Sequence, residues 1–512
     1  MSCATKELPD DLVKLKALLL KERAASVQRE DKLKQKIDML FEALRLERHR
    51  LYGTRSEKLS DQSELFFDEA EVFVDEDDAV VDEHDVIDRG TPSKKRKSSA
   101  RKPLPAEIPR IRHVIELSIE ERQCTCGCTL VEIGEDISEQ LDIIPAKLQV
   151  IQHARKKYAC KACQDTIKIA PRANVLLPKS IASGNTMAYI ITSKYADGLP
   201  LYRLSGILGR YGIEMPRQTL SESVLKVAEK VVPLIDYMQQ YLMKSPCLHM
   251  DETRLQVLNE PDKTPQSHSY MWVQRGGPPG KFIIQFHYDP GRSTASAARL
   301  LQGFTGTLMT DGYKPYRQVA RDNGITHLCC WAHSRRKFID AQKAQPKGKT
   351  GKADMAISFI AKLYATEKQT KTSDATARHD ARQQISAPVL KQFYQWLIKS
   401  QQQVPPKTAL GKAVNYTLEY WPELNRYIEN GEWPIDNNPA ENAIRPFVIG
   451  RKAWLFSNSQ RGAKASANLY SLIETAKANG KEPYSYLSWL FEKLPGIDLE
   501  NIEALMPWSM PE

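Results

Sequence analysis

Apolar residues near the N-terminus recur at the spacing of a coiled-coil helix. Leu33, Ile37, Leu40 and Leu44 are separated by steps of four, three and four residues, and Leu51 follows one heptad after Leu44. This a/d spacing predicts one helix over residues 8–52 that ends before Gly53. A leucine-zipper-like segment at 8–58, which pairs with a second chain or docks on another helix, is one interpretation. An amphipathic helix that lies on its own protein is the other.

Helical periodicity returns over residues 171–246. Two apolar-periodic runs in "LYRLSGILGRYGIEMPRQTLSESVLKVAEKV" (201–231) flank a turn at Gly212–Pro216. Helix, short turn, helix is the outline of a helix-turn-helix, whose second helix would begin near Gln218 or Thr219. Arg217 and Gln218 are therefore candidate DNA contacts. Any αα-hairpin gives the same outline, so the pattern also fits a purely structural helix pair.

From residue 247 the pattern changes to short strands. The runs "CLHMDETRLQVL", "SYMWVQRG", "KFIIQFHYD", "GTLMTDGY" and "THLCCWAH" are rich in β-branched and aromatic residues, and the helical run "STASAARLLQGF" lies between the third and fourth. Three hairpin-linked strands, a helix, a strand, a helix and a strand follow the order of a ribonuclease H-like domain. We expect this domain over 247–465, with a helical insertion at about 340–430 and a C-terminal helical segment at 466–512. The chain is thus predicted to be a multidomain α/β protein.

Composition describes a globular protein of several domains. The chain has 512 residues, of which 41% are hydrophobic and 27% charged. No apolar run approaches the roughly 18 residues that span a bilayer, so no membrane partner is expected. The N-terminus lacks the apolar core of a signal peptide. Nine cysteines, two of them adjacent, fit a reducing cytoplasm better than a disulfide framework.

Charge is distributed unevenly along the chain. Residues 61–88 hold thirteen acidic and no basic residues, and the rest of the chain carries 73 basic against 50 acidic residues. Opposite charge blocks within 59–108 predict a disordered linker. The basic excess elsewhere indicates a polyanionic partner, with nucleic acid the first candidate.

Five cysteines within the predicted domain at 109–170 form two groups, "CTCGC" and "CKAC", at Cys124, Cys126, Cys128, Cys160 and Cys163. Two pairs of thiols about thirty residues apart are what a tetrahedral structural Zn²⁺ site needs. The second pair has the usual CxxC spacing. The first group leaves open which two cysteines bind, so we expect four ligands among the five. Buried, unligated thiols are the alternative.

Two aspartates stand at predicted strand ends, Asp251 after "PCLHM" and Asp311 after "GTLMT". In a ribonuclease H-like sheet the first strand lies beside the fourth, so both carboxylates would meet at one edge. Two like charges that close need a cation, and Mg²⁺ prefers oxygen ligands. Two such ions would support an in-line phosphoryl transfer. A strand-end turn former is the alternative role for each aspartate alone.

A third carboxylate is expected from a helix beside those strands, where Glu441 lies in "DNNPAENAIRPF". Local chemistry gives Glu441 another role: Asn438 as N-cap and Pro439 at the first helical position would place Glu441 at N3 of a capping box. An ion pair with Arg445 would add to this helix. Both roles are compatible.

Basic residues surround these acids and are candidate contacts to DNA phosphates. They are His333, Arg335, Arg336, Arg445, Arg451 and Lys452. Arginine binds phosphate well because its guanidinium makes two parallel hydrogen bonds. A solvated basic face is the alternative.

With these motifs the chain resembles the DDE transposases of the insertion-sequence-66 family. The resemblance rests on "GEDISEQLDIIPAKLQVIQHARKKYACKAC", "DGLPLYRLSGILGRYGIEMPRQTLSESV", "HMDETRLQV", "MTDGYKPY", "CWAHSRRKF", "DNNPAENAIRPFVIGRKAWLFSNSQRGA" and "ETAKANGKEPYSYLSWLFEKLP". Carried onto this sequence, the family's acidic triad falls on Asp251, Asp311 and Glu441, with Asp436 the competitor for the third role. The first cysteine group, "CTCG", is one residue shorter than the family's commoner form.

The resemblance implies a bacterial enzyme that cuts DNA at transposon ends and joins the freed 3′-hydroxyl to target DNA, with Mg²⁺ or Mn²⁺ at the catalytic site and a structural Zn²⁺. Its implied partners are the terminal repeats, target DNA, a second copy of the chain and accessory proteins of the same element. The implied location is the cytoplasm, at the nucleoid. A DNA-binding regulator without catalysis and a nuclease that cuts without joining are the alternatives.

Overall fold

A computed structural model describes residues 12–52, 148–159, 167–171, 174–345 and 351–511. The predicted linker at 59–108 and the cysteines of both groups lie outside these residues. The chain divides into two compact units, one formed by 1–77 with 174–512 and the other by 78–173. In the second unit, strands β1 (Lys157–Ala159) and β2 (Ile167–Ile169) form an antiparallel pair.

The N-terminal helix α1 runs over Leu12–Tyr52 and ends before Gly53, as predicted. Four members of its apolar stripe are between 50% and 65% exposed, at Leu33, Ile37, Leu40 and Leu44. Such a stripe is available to a partner helix. The helix also contacts its own protein, because Glu42 Oε1 accepts a hydrogen bond from the backbone N–H of Ala409 at 3.0 Å. Both interpretations of this helix therefore have support.

Between residue 174 and the main sheet the chain forms four helices. They are α2 (Gly184–Tyr195), α3 (Leu201–Arg210), α4 (Arg217–Lys230) and α5 (Val232–Leu242). The helix α4 begins one residue before the predicted start. The Ser205 hydroxyl donates to the Met215 carbonyl at 2.7 Å, which ties α3 to the turn. Buried residues of α4, including Leu220 and Val224, pack into the main hydrophobic core.

The main sheet follows the predicted element order. Its elements are β3 (Cys247–Asn259), β4 (His268–Gly276), β5 (Ile283–Asp289), α6 (Thr294–Leu300), β6 (Thr307–Thr310), α7 (Lys314–Asp322) and β7 (Thr326–Cys329). Spatial order is β5-β4-β3-β6-β7, with the first three strands antiparallel and β3-β6-β7 parallel. The predicted neighbourhood of the first and fourth strands is confirmed by the β3–β6 pairing.

Helices and one short strand complete the chain. They are α8 (Trp331–Lys343), α9 (Lys352–Gln369), α10 (Ala375–Ala381), a π-helical turn (Arg382–Ser386), α11 (Ala387–Gln403), α12 (Ala409–Glu419), α13 (Trp421–Asn425), a 3₁₀ turn (Arg426–Glu429), α14 (Asn438–Trp454), β8 (Ser457–Ser459), α15 (Gln460–Ala478), α16 (Pro483–Lys493) and three 3₁₀ turns (Leu494–Gly496, Leu499–Leu505, Pro507–Ser509). The helices from α9 to α13 occupy the predicted insertion. None of the helices in the described part of the chain is long and apolar enough to cross a membrane.

Side chains of α15 cover the free edge of β5. Ser471 Oγ accepts the N–H of Phe286 at 2.8 Å. Thr475 Oγ1 accepts the N–H of Ile284 at 3.0 Å and donates to its carbonyl at 2.9 Å. An open edge strand invites pairing with another chain, and these hydroxyls satisfy the backbone groups that such pairing would use. The C-terminal helices are thereby fixed to the sheet.

Arg382 is a buried arginine that holds the helical insertion together. Its guanidinium is paired with both carboxylate oxygens of Glu367, at 2.8 and 2.7 Å. It also donates to the carbonyls of Tyr427, Asn430 and Trp433, at 2.6 to 2.9 Å. One side chain thus links α9 to the segment that leads into α14.

Substitution Arg382→Leu is expected to destabilise the protein by about 3–5 kcal/mol, because it leaves the Glu367 charge and three carbonyls without their donor. Urea-induced unfolding measures the loss. Arg378→Leu is the matched control, since Arg378 donates to the carbonyls of Gly431 and Ser373 but leaves no carboxylate behind. A loss no larger than that of the control would contradict the anchoring role.

Candidate active site

The two predicted aspartates belong to neighbouring parallel strands, Asp251 within β3 and Asp311 directly after the end of β6. The register pairs Cys247 with Thr307 and His249 with Met309, and each aspartate follows two residues beyond this last pair. Adjacent strands are about 4.8 Å apart, so the two residues lie close together. We call them the acidic pair.

The structure corrects the prediction that Asp251 ends its strand. Asp311 directly follows β6, but Asp251 lies inside β3, which continues to Asn259. The strand extends because β4 pairs with it at Asp251 and beyond, and because β8 pairs with its far end. Asp251 is 8% exposed, and its Oδ1 accepts the N–H of Glu252 at 2.9 Å.

Helix α14 covers the face of β3 that carries Asp251. Side chains alternate between the two faces of a strand, so Asp251 and Thr253 share a face. The Arg451 guanidinium of α14 lies 3.5 Å from Thr253 Oγ1 and donates to the carbonyl of Arg254. The helix that carries Glu441 is therefore packed against the side of β3 that presents Asp251.

Asn437 anchors the start of α14 to the sheet. Its Nδ2 donates to the Met250 carbonyl at 2.8 Å, and its Oδ1 lies 3.1 Å from His249 Nδ1. Its backbone N–H donates to Cys330 Sγ at 3.1 Å. This buried asparagine brings the first turn of α14 beside the residues that precede Asp251. Glu441 follows one turn later, on the same face as Asn437.

The predicted capping box is wrong. The N-cap is Asn437 rather than Asn438, which places Glu441 at N4 instead of N3. Within the described residues, Asn437 makes no side-chain cap hydrogen bond, because its amide serves β3. A capping role therefore does not explain where the Glu441 carboxylate lies.

Glu441 is 3% exposed and faces helix α8. Its Oε1 lies 3.2 Å from His333 Nδ1 and its Oε2 lies 3.0 Å from Arg336 Nη2. The Cys330 thiol is 4.0 Å from Oε1. We call Glu441, His333, Arg336 and Cys330 the Glu441 cluster. His333 and Arg336 were predicted to contact phosphates, and here they bind the carboxylate.

Asp436 points toward the helical insertion. Its Oδ2 accepts the Tyr364 hydroxyl at 3.0 Å, and both of its oxygens accept hydrogen bonds from Asn438, at 3.2 and 3.0 Å. Burial raises the pKa of this carboxyl above its usual range. Asp436 thus shapes the loop before α14.

Glu252 is an acid with a buried side chain that was not among the predicted site residues. Its Oε1 is 2.5 Å from the Arg292 guanidinium, and the Tyr316 hydroxyl donates to its Oε2. Burial and then the nearby Asp311 charge raise the pKa of Glu252. The adjacent Asp251 and Glu252 were a usable signal, but Arg292 is forty residues further along and gave none.

The remaining predicted DNA contacts lie on several elements. Arg217 and Gln218 are exposed on the first turn of α4, and Lys452 is exposed near the end of α14. Arg335 on α8 and Arg445 on α14 are half-buried. Burial lowers the pKa of Arg335 and of Arg451. These candidate DNA contacts are therefore distributed over three helices, α4, α8 and α14.

The acidic pair fits an oxygen-binding divalent cation. Its donors are the Asp251 carboxylate in β3 and the Asp311 carboxylate directly after β6, and Asp311 Oδ1 accepts the N–H of Tyr313 at 2.9 Å. A Cβ at Gly312 would meet the Tyr416 ring at 2.5 Å, so the close approach of Tyr416 beside Asp311 requires glycine. Hard cations such as Mg²⁺ and Mn²⁺ select this donor chemistry.

Comparison with known protein families gives matches along most of the chain. A model described as transposase IS66 family matches residues 179–465, and the IS66 C-terminal element matches 471–508. The zinc-finger binding domain of transposase IS66 matches 121–164, a range that includes all five cysteines of the two groups. A model described as transposase C of IS166 homeodomain matches 39–112.

Similar curated proteins come from Sinorhizobium fredii (strain NBRC 101917 / NGR234). The uncharacterized protein y4qI is 32% identical over 98% of both chains. The uncharacterized protein y4jD is 33% identical over 79% of this chain and 81% of its own. A third, the uncharacterized protein y4hP, is 28% identical over 81% of this chain and 77% of its own.

Proposed function

The chain belongs to the IS66 transposase family, and we propose that it cuts DNA at the ends of a bacterial insertion sequence and joins the freed 3′-hydroxyl to target DNA. The observation that supports this proposal is the parallel pairing of β3 with β6, since Asp251 and Asp311 each follow two residues beyond its last pair. Phosphoryl transfer needs negative oxygen ligands held together at one point, and this pair supplies them on a rigid sheet.

We assign the sheet and its helices to a ribonuclease H-like catalytic domain. Strand order β5-β4-β3-β6-β7, with three antiparallel strands followed by two parallel ones, supports this assignment. The proposed domains keep the boundaries expected from the sequence: helix 8–58, linker 59–108, zinc-binding domain 109–170, helical region 171–246, catalytic domain 247–465 with its insertion at about 340–430, and C-terminal segment 466–512.

Asp251, Asp311 and Glu441 are the proposed ligands of Mg²⁺ or Mn²⁺. When bound, the ions supply an activated attacking oxygen and stabilise the leaving oxygen. The three carboxylates would hold the ions, and the sheet fixes the backbone of Asp251 while Asp311 follows its neighbouring strand. Glu441 takes part after its carboxylate leaves His333 and Arg336 and turns to the acidic pair.

Basic residues hold the DNA in this proposal. Once Glu441 is engaged elsewhere, Arg336 and His333 are placed to bind the phosphates beside the scissile bond. Arg335, Arg445, Arg451 and Lys452 extend the basic surface along α8 and α14. Arg217 and Gln218 contact the terminal repeats from α4. Neutralised phosphates release counterions, so binding should weaken as salt rises.

The other partners follow from the remaining segments. Four of the cysteines Cys124, Cys126, Cys128, Cys160 and Cys163 bind a structural Zn²⁺. The exposed stripe of α1 pairs with a second copy of the chain, which would hold two DNA ends together. Accessory proteins of the same element complete the complex, at the nucleoid in the cytoplasm.

The test uses a labelled duplex that carries a transposon end, with Mg²⁺ and a second unlabelled target duplex. We expect a nick at the element boundary and a longer labelled product in which the end is joined to the target. A duplex with a scrambled end sequence is the control. A nick without the joined product indicates a nuclease, and binding without a nick, even with the accessory proteins added, indicates a regulator.

A further inference from the structure

Three chemically different donors converge at the Glu441 cluster. Cys330 Sγ, a ring nitrogen of His333 and a carboxylate oxygen of Glu441 all lie within 4.8 Å of one another. Cys330 is the residue before α8 and His333 belongs to its first turn, so the Cys-x-x-His spacing brings both to the same side. Glu441 reaches them from α14. Two of the three residues are buried and the third is half-buried.

This donor set differs from that of the acidic pair. Mg²⁺ takes oxygen ligands in an octahedral arrangement and has little affinity for a thiol or an imidazole. Zn²⁺ binds Cys, His and carboxylate ligands, and three protein ligands with one open position are typical of accessible zinc sites. A thiolate and a carboxylate would together match the charge of the ion.

The surrounding hydrogen bonds are those of a supported metal site. The Asn437 N–H donates to Cys330 Sγ at 3.1 Å, and a donor of this kind stabilises a thiolate. Arg336 binds Oε2 of Glu441, whereas His333 and Cys330 lie at Oε1. One carboxylate oxygen therefore faces the other donors, and the arginine holds the second oxygen. Carboxylates that bind metals are commonly oriented by such hydrogen bonds. A bound Zn²⁺ deprotonates a coordinating thiol outright, so burial of the Cys330 thiol does not prevent binding.

We propose that Cys330, His333 and Glu441 form a second Zn²⁺ site, which holds Glu441 away from the acidic pair. Zinc binding at this site stands independently of the proposed function. Its consequence, inhibition of Mg²⁺-supported DNA cleavage by Zn²⁺, rests on that function and on the role of Glu441 in it. In this proposal the Glu441 carboxylate binds either Zn²⁺ beside Cys330 and His333 or Mg²⁺ at the acidic pair.

The first experiment measures zinc content by mass spectrometry after the full-length protein is equilibrated with Zn²⁺ and freed of unbound metal. We expect Cys330→Ala and His333→Ala to hold one zinc ion fewer per chain than wild type. Cys329→Ala is the matched control, because Cys329 is the neighbouring buried cysteine and its Sγ lies 3.8 Å from the Tyr416 hydroxyl instead. Equal zinc content in all four proteins would overturn the site.

Folding is checked by thermal melting of each variant without added zinc. His333 is the second variant because it is half-buried and its loss disturbs the core less than that of Cys330. If Cys330→Ala melts early, the zinc content of His333→Ala decides the question.

The second experiment measures DNA cleavage with Mg²⁺ while Zn²⁺ is increased, each protein normalised to its own zinc-free rate. Loss of a residue that only hydrogen-bonds to a metal ligand weakens metal binding by about 10–100-fold. Loss of the ligand Cys330 itself should therefore raise the inhibitory zinc concentration by about 100-fold or more. Unchanged inhibition in Cys330→Ala would remove the proposed consequence and leave the binding result to stand. Absence of cleavage in wild type would refute the proposed function and not the site.

Discussion

Asp251→Asn is expected to abolish cleavage and joining of a transposon-end duplex while leaving DNA binding intact. Asparagine has the same shape and can still accept the hydrogen bond from the Glu252 N–H at Oδ1. It lacks the charge that holds a divalent cation. The metal contributes several kcal/mol of transition-state stabilisation, so the rate should fall by about 10³-fold or more.

The measurement is single-turnover cleavage with Mg²⁺, run beside a binding assay on the same duplex. Asp311→Asn should show the same loss, because Asp311 directly follows β6, the parallel neighbour of the strand that carries Asp251. Asp322→Asn is the control, since Asp322 is exposed at the end of α7. An Asp251→Asn protein with wild-type cleavage would exclude Asp251 from the metal site.

The second large effect is expected for Glu441→Gln, with cleavage reduced by about 10²–10³-fold at unchanged DNA affinity. Glutamine keeps an oxygen for the Arg336 hydrogen bond but loses the negative charge, so a structural role for Glu441 would survive the change better than a catalytic one. Single-turnover rates and melting temperatures should be measured together.

Asp436→Asn is the matched comparison for Glu441→Gln, because both residues are carboxylates near the start of α14, Asp436 half-buried and Glu441 buried. Its Tyr364 and Asn438 contacts are structural, so we expect at most a small change in rate. The reverse outcome, an active Glu441→Gln beside an inactive Asp436→Asn, would transfer the third role to Asp436.

Strand order and the position of Asp311 were predictable because local periodicity and turn residues define short strands well. The length of β3 was not, since its extension past Asp251 depends on hydrogen bonds from β4 and β8, which come from distant parts of the sequence. The N-cap was misplaced by one residue for a related reason. Asn437 is held by Met250 of the sheet, a contact that local capping rules do not include.

The surroundings of the acids were the least predictable part of the site. Basic residues near Glu441 were expected to bind phosphates, but a sequence does not show that Arg336 and His333 already pair with that carboxylate. The Glu252–Arg292 pair joins a strand to the segment before α6. Both arrangements are products of tertiary packing, and both place positive charge where a phosphate would have to compete with a carboxylate.

The most direct test of the metal-binding acidic pair is the activity of Asp251→Cys with Mg²⁺ and with Mn²⁺. A thiolate is a poor ligand for Mg²⁺ and a better one for a transition metal. The proposed site predicts that Asp251→Cys cuts the transposon end no better than Asp251→Asn with Mg²⁺, and that Mn²⁺ restores cleavage. Wild-type cleavage by Asp251→Cys with Mg²⁺ would contradict it, as would no gain with Mn²⁺ in a protein that still folds and binds DNA.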